Sequence, residues 1–216
     1  MSHSATFRAG FAESRSSAVG PAVAAILAAW LLAVCVLAAK GVFLGVPGAP
    51  PLALLIAFAS PLAAYFIAYR LAEPFRAFVL GIEPRILAGM QAWRFAGFGF
   101  IALAAHAILP GYFAWPAGLG DMAIGLTAPW MISILNRRPD FASSGGFVAW
   151  NLLGILDLAV AVTLGAVGSF LLAQNGDAVT TVPMATLPLI LIPAYLVPLF
   201  LMMHFAALAQ ARAHHA

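Results

Sequence analysis

In "WPAGLGDMAIGLTAPW", Trp115 to Trp130, one charged group, Asp121, interrupts a run of apolar and small residues. Stepping by four from Ala117 gives Asp121, Gly125 and Pro129, a single ridge if the stretch is helical. Small residues on a ridge let another helix approach closely inside a bilayer. The carboxylate is therefore expected to face protein or an internal cavity, not lipid, one to two turns below the nearer membrane surface.

The rest of the chain supplies the membrane. Of 216 residues, 64% are hydrophobic and 8% charged, against about 25% charged in a soluble domain. Apolar runs recur at residues 20–39, 52–69, 92–109, 119–135, 146–172 and 187–207. Each is close to or above the ~18 residues that a helix needs to cross a hydrocarbon core. No alternating pattern suggests a barrel, and lipid leaves helices as the other way to satisfy the backbone. The expected fold is all-α: a polytopic membrane protein with one transmembrane domain of six helices over 18–209. A Ser-rich tail, 1–17, is expected to be disordered, and a short second tail covers 210–216.

Arg8, Arg15, Arg70, Arg76, Arg85, Arg94, Arg137, Arg138 and Arg212 fall on one side of a six-helix threading, and Lys40 on the other. That bias predicts both termini in the cytoplasm. The net charge of +3 is thus a membrane-side signal and implies no nucleic-acid partner. A secretory signal peptide is the weaker, rival reading of the first apolar run, which is longer than a usual h-region and follows a polar tail of about twenty residues. Cys35 is the only cysteine, which excludes an internal disulfide and leaves a packing residue.

Between the second and third runs, "LAEPFRAFVLGIEPRILAGMQ" (Leu71–Gln91) holds Glu73-Pro74 and Glu83-Pro84. An acidic residue before proline suits a helix start. A short amphipathic helix is expected, with Phe75, Phe78, Val79 and Ile82 at the interface; the third helix then begins near Pro84 instead of Ala92. A plain loop anchored by arginines is the alternative. Trp93-Arg94-x-x-Gly97 and Trp150-Asn151-x-x-Gly154 echo each other. Trp93 and Trp150 are read as inner-interface belt residues, with Arg94 as a structural anchor beside them.

Asp157, in "WNLLGILDLAVAVTLGAVG", lies in line with Gly154 and Ala161 near mid-bilayer. An ionised Asp there costs about 2.5–3.5 kcal/mol on insertion scales, so it is expected to be paired or protonated. Such residues are functional by default, although one that only locks two helices together is also common. His106 is a candidate partner for Asp121, an arrangement suited to proton relay; Asn151 and Tyr195 are further polar candidates. His204 is placed near the inner end of the last helix, too far from His106 to share a metal, and is assigned a structural role. Prolines recur every five residues at Pro183, Pro188, Pro193 and Pro198. Within a helix they would free the carbonyls of Met184, Leu189 and Ala194.

The residues "WRFAG" (Trp93–Gly97), "PAGLGD" (Pro116–Asp121), "WNLLGILD" (Trp150–Asp157) and "IPAYLVP" (Ile192–Pro198), with His204 beyond, resemble a widespread group of small bacterial membrane proteins without an assigned activity. The resemblance covers roughly Trp93–Phe205. It implies a bacterial inner-membrane location, with Asp121, Asp157 and His204 in recurrent positions, and supplies no reaction. No metal-binding, nucleophile or phosphate-loop motif is present, so catalysis is not expected and no cofactor can be named. The leading expectation is a transporter or channel for protons, ions or a small solute that uses the intramembrane carboxylates. The alternatives are a cofactor- or lipid-binding membrane protein, or a subunit whose small-residue ridges dock on a second copy or a membrane-complex partner.

Overall fold

The computed structural model describes residues 3–45, 49–171 and 179–213. It contains α1 (His3–Ala39), α2 (Leu52–Leu71), α3 (Glu73–Gly81), α4 (Pro84–Met90), α5 (Phe98–Ala105), α6 (Gly111–Arg137), α7 (Gly145–Leu171) and α8 (Val197–Ala213). A 3-10 stretch, Gln91–Gly97, joins α4 to α5, and a π turn, Ile192–Leu196, leads into α8. There is no strand among the described residues. Six segments are long and apolar enough to cross a membrane: Val19–Ala39, Leu52–Leu71, Pro84–Ala105, Gly111–Arg137, Gly145–Ala166 and Ile192–Ala213.

The six runs reappear, with boundaries moved for local reasons. The first helix extends back to His3, across the segment for which disorder was expected. It ends at Lys40-Gly41, where Gly41 takes φ 72°. There the Val42 N–H bonds the Leu37 carbonyl and the Gly41 N–H bonds that of Ala38, a Schellman closure that suits glycine. The third span begins at Pro84 behind Glu83, as the Glu-Pro pair suggested. It ends at Ala105, four residues short of Leu109. Ala107 stands at φ 54°, with Ile108 N–H bonded to Leu103 and Ala107 N–H to Ala104. This is the same closure made on alanine, so no glycine announces it. The fourth helix starts eight residues before Leu119, directly behind Pro110.

The last helix departs most. Pro183 and Pro188 lie outside it, in a 3-10 turn (Val182–Ala185) and in the turns that follow. The Leu187-Pro188 bond is cis. Pro193 sits in the π turn and Pro198 in the first turn of α8. The carbonyls of Pro183, Pro188, Leu189 and Ile190 are taken up by local turn bonds. With Met184 in the 3-10 turn and the Leu189 carbonyl bonded by Ile192 N–H, the three carbonyls expected to be freed do not form a ladder along one helix. The helix also continues past Ala207 to Ala213, and Gln210 there is buried, donating to the carbonyls of Val79 and Ile82. Residues 172–178, between the fifth and sixth apolar runs, and the end of the second tail, 214–216, lie outside the described residues.

The α3 helix forms, but its apolar side turns inward. Val79 is buried, and Phe75, Phe78 and Ile82 pack with Tyr65 and Tyr69 against a core made by α4, α6, α7 and α8. The interfacial placement expected for these four residues is replaced by packing on the bundle. By contrast α2 has no buried residue and lies at the periphery.

The centre of the bundle is the packing of α6 on the 3-10 stretch. A Cβ on Gly125 would collide with the backbone N of Phe95, and backbone cannot step aside as a side chain can. Gly99 faces open space. Gly125→Ala is expected to cost about 1–3 kcal/mol, as overpacking does, whereas Gly99→Ala leaves stability equal or higher. Thermal unfolding of the two variants in detergent checks the difference.

Candidate functional site: an intramembrane ion cluster

Along the third span, residues 91, 94, 97 and 100 are buried and those between are half-buried or exposed. That period of three belongs to a 3-10 helix, where i and i+3 eclipse. It brings Gln91, Arg94 and Gly97 onto one inward line. Arg94 is the eleventh residue of Pro84–Ala105, hence some 15 Å into the span. It is 2% exposed.

The guanidinium is wrapped on several sides. Its Nε donates to Asp121 Oδ1 at 2.7 Å, and Nη2 donates to Asp157 Oδ2. Nη1 reaches the Gly154 carbonyl at 3.4 Å and His204 Nε2 at 3.1 Å. A guanidinium only donates, so His204 Nε2 accepts. His204 Nδ1 must then carry the proton, and it donates to Asn151 Oδ1 at 2.8 Å. The Asn151 amide agrees, because its Nδ2 donates to the Phe147 carbonyl at 2.9 Å. His204 thus holds one proton, on Nδ1. With both carboxylates ionised, the cluster of one arginine and two aspartates carries a formal charge of −1.

Glycine makes the room. A Cβ on Gly120 would strike the Asp157 carboxylate, one on Gly154 the His204 ring, and one on Gly97 the Asp121 side chain. Four segments therefore converge on one arginine because three close approaches are kept free of side chains. Asp121 is the eleventh residue of α6, Asp157 the thirteenth of α7 and His204 the thirteenth of Ile192–Ala213. All stand near mid-span.

Several expectations change here. Asp121 and Asp157 face protein, as their ridges required, although Asp121 lies deeper than one to two turns because α6 starts early. Arg94 is no interfacial anchor: starting the span at Pro84 carries it to mid-depth. Trp93 moves with it and is 73% exposed, facing outward there instead of marking the inner interface. Trp150 is 8% exposed. Its indole N–H donates to Thr127 at 2.9 Å and its ring lies 5.9 Å from that of His204, so it belongs to the core. His204 sits mid-span because its helix runs on to Ala213. His106 caps α5, exposed, and Asp121 bonds Arg94 in its place. Tyr195 packs on Trp30, ring centroids 4.4 Å apart, and is not among the side chains that bond Arg94, Asp121, Asp157 or His204. The prolines Pro188, Pro193 and Pro198 shape the approach to α8. No group of three metal-ligating side chains occurs among the described residues.

A cavity of about 320 Å³ adjoins the cluster. It is walled by the α1–α2 connection, α2, α6, α7 and the segments around Thr181 and Ile192, with Asp121 its only ionisable lining residue among those described. Two buried amide oxygens, of Gln91 and Gln210, have no partner among the described residues.

Six apolar helices about a buried ion cluster are compatible with a multi-pass integral membrane protein. The chain belongs to the family described as "Domain of unknown function (DUF8737)", which matches residues 51–212. The match takes in α2 and leaves all of α1 outside. No curated protein and no solved structure matches the chain.

Removing one member of a buried ion cluster strands the others. Arg94→Met is expected to cost about 3–5 kcal/mol. The triple variant Arg94→Met/Asp121→Asn/Asp157→Asn should recover most of that loss, as seen by denaturant unfolding in detergent. In ¹⁵N NMR of labelled protein, His204 should show a protonated Nδ1 and a bare Nε2 in the wild type.

Proposed function

We propose that this protein is a proton-coupled transporter of a small solute in the bacterial inner membrane, and that Asp121 and Asp157 carry the coupling. One observation supports this above the others: a mid-span cluster with one more carboxylate than cation borders a cavity through Asp121. Ionisable groups at this depth are costly and tend to mark solute or proton pathways. A cluster of formal charge −1 in low dielectric attracts one further positive charge. A proton supplies it when the cavity is empty, and a solute competes for it.

On this reading Arg94 is the fixed element. It holds the two carboxylates on separate helices, α6 and α7, so that a change of charge at one alters its hold on the other. His204 and Asn151 orient Arg94 from α8 and α7. Both termini lie in the cytoplasm, because without Arg94 eight arginines still flank the end opposite Lys40. The largely apolar cavity also favours a second reading, in which the protein holds a lipid-like ligand or cofactor without moving it.

Proteoliposomes carrying an internal pH dye and an imposed proton gradient separate these readings. A panel of small amines, acids and neutral solutes added outside should include one that dissipates the gradient through the wild-type protein. Asp157→Asn and Asp121→Asn, each verified by gel filtration, should lose that response at least tenfold. Equal rates in wild type and both variants overturn the carboxylate mechanism and leave the ligand-holding reading.

A further inference from the structure

We propose that the cavity is a binding site for a compact amphipathic cation, with an ammonium group set against Asp121 and a small hydrocarbon body in the apolar chamber. This names the solute that the transport reading left open; it rests on that reading for movement and stands on the cavity itself for binding.

Size sets the first limit. At about 320 Å³ the chamber lies at the small end of the ~300–1,000 Å³ typical of small-molecule sites. It admits one ring or a short branched chain, not an acyl tail. The lining sets the second. Leu54 and Phe58 from α2, Phe113 from α6, Ala161 from α7 and Ile192 from the π turn offer hydrocarbon and no charge. A fully polar ion would lose its hydration there without replacement. Charge sets the third. Asp121 is the one ionisable group at the wall among the described residues, and behind it Arg94 already serves Asp157 as well. The pair of carboxylates is under-compensated by one unit, so the wall is negative. An anion is repelled, and a neutral molecule gains nothing from Asp121 beyond a hydrogen bond.

The exchange balances simply. In the empty site a proton bound to one carboxylate neutralises the excess. When the cation enters, that O–H bond breaks, the proton leaves to water, and a carboxylate–ammonium ion pair takes its place.

Benzyltrimethylammonium is a suitable probe, because its charge is fixed and it has an uncharged isostere, neopentylbenzene. Equilibrium dialysis of the radiolabelled cation against the full chain in neutral detergent should show saturable binding of one cation per chain. Neither neopentylbenzene nor phenylacetate should displace it at equal free concentration. In weakly buffered solution, binding should release up to one proton. Asp121→Asn should weaken binding at least tenfold. Leu54→Trp, which fills the chamber from α2, a helix that contributes no residue to the ion cluster, should weaken it as much and decides the matter if Asp121→Asn fails to fold. Non-saturable uptake, equal displacement by neopentylbenzene, or full binding by a folded Leu54→Trp variant would each overturn the proposal; the second of these would identify a neutral, lipid-like occupant. Specific binding without flux in vesicles overturns transport and leaves the site standing. Proton-coupled flux of another solute, with no cation binding, does the reverse.

Discussion

A guanidinium halfway across a bilayer has few ways to exist, and the bundle is built round the one adopted by Arg94. Lipid offers it no acceptor and water is some 15 Å away along the span. The acceptors must come from neighbouring helices: Asp121 from α6, Asp157 and the Gly154 carbonyl from α7, and His204 from α8. One side chain thereby fixes the mutual positions of four segments. Such a cluster need not add net stability, since an apolar replacement of similar shape often does as well. What it does impose is a unique register.

That register is reached through absences. Helices carrying side chains at Gly97, Gly120, Gly125 and Gly154 could not come close enough for the carboxylates and the imidazole to touch the guanidinium. Charge supplies the attraction and glycine supplies the distance. Away from this centre the demands relax: α2 buries no residue and meets the rest through half-buried side chains, Leu54 beside Val34 and Ile190, Leu62 beside Leu158 and Phe200, and Tyr65 and Tyr69 beside Val79. A tightly specified core of α4 to α8 thus carries a loosely attached pair of outer helices, and the cavity lies between the two.

How much of this was visible in the residues depends on the length scale. Six spans followed from hydropathy, and the small-residue ridges correctly turned Asp121 and Asp157 toward protein. The Glu-Pro pairs marked the starts of α3 and of the third span. The cluster itself was missed for one reason: Arg94 was assigned by its distance from the apolar run, which begins at Ala92, whereas the helix begins at Pro84. An eight-residue shift in the start converts an interfacial anchor into a mid-membrane charge. The Glu83-Pro84 signal was available, and taking it at full weight would have placed Arg94 correctly. The end of the same span was not legible, because Ala107 adopts a left-handed conformation that glycine or asparagine ordinarily announces. That hidden stop is also why His106 turns away from Asp121. The repeating prolines could be counted, but only the fold shows that two of the four stand outside any long helix. Of the residues in Trp93-Arg94-x-x-Gly97 and Trp150-Asn151-x-x-Gly154, Arg94, Asn151 and the two glycines lie at the cluster, whereas one tryptophan faces outward and the other inward.

The 3-10 stretch that presents Arg94 is seven residues long, beyond the three or four usual for this geometry. Each of its residues advances about 2.0 Å and turns ~120°, against 1.5 Å and ~100° in an α-helix. Rewinding all seven to α geometry would shorten the span by roughly 3–4 Å and twist α4 against α5 by roughly 140°. The arginine is therefore mounted on a screw thread, whose pitch ties sideways swing of the charge to lengthwise travel of the helix.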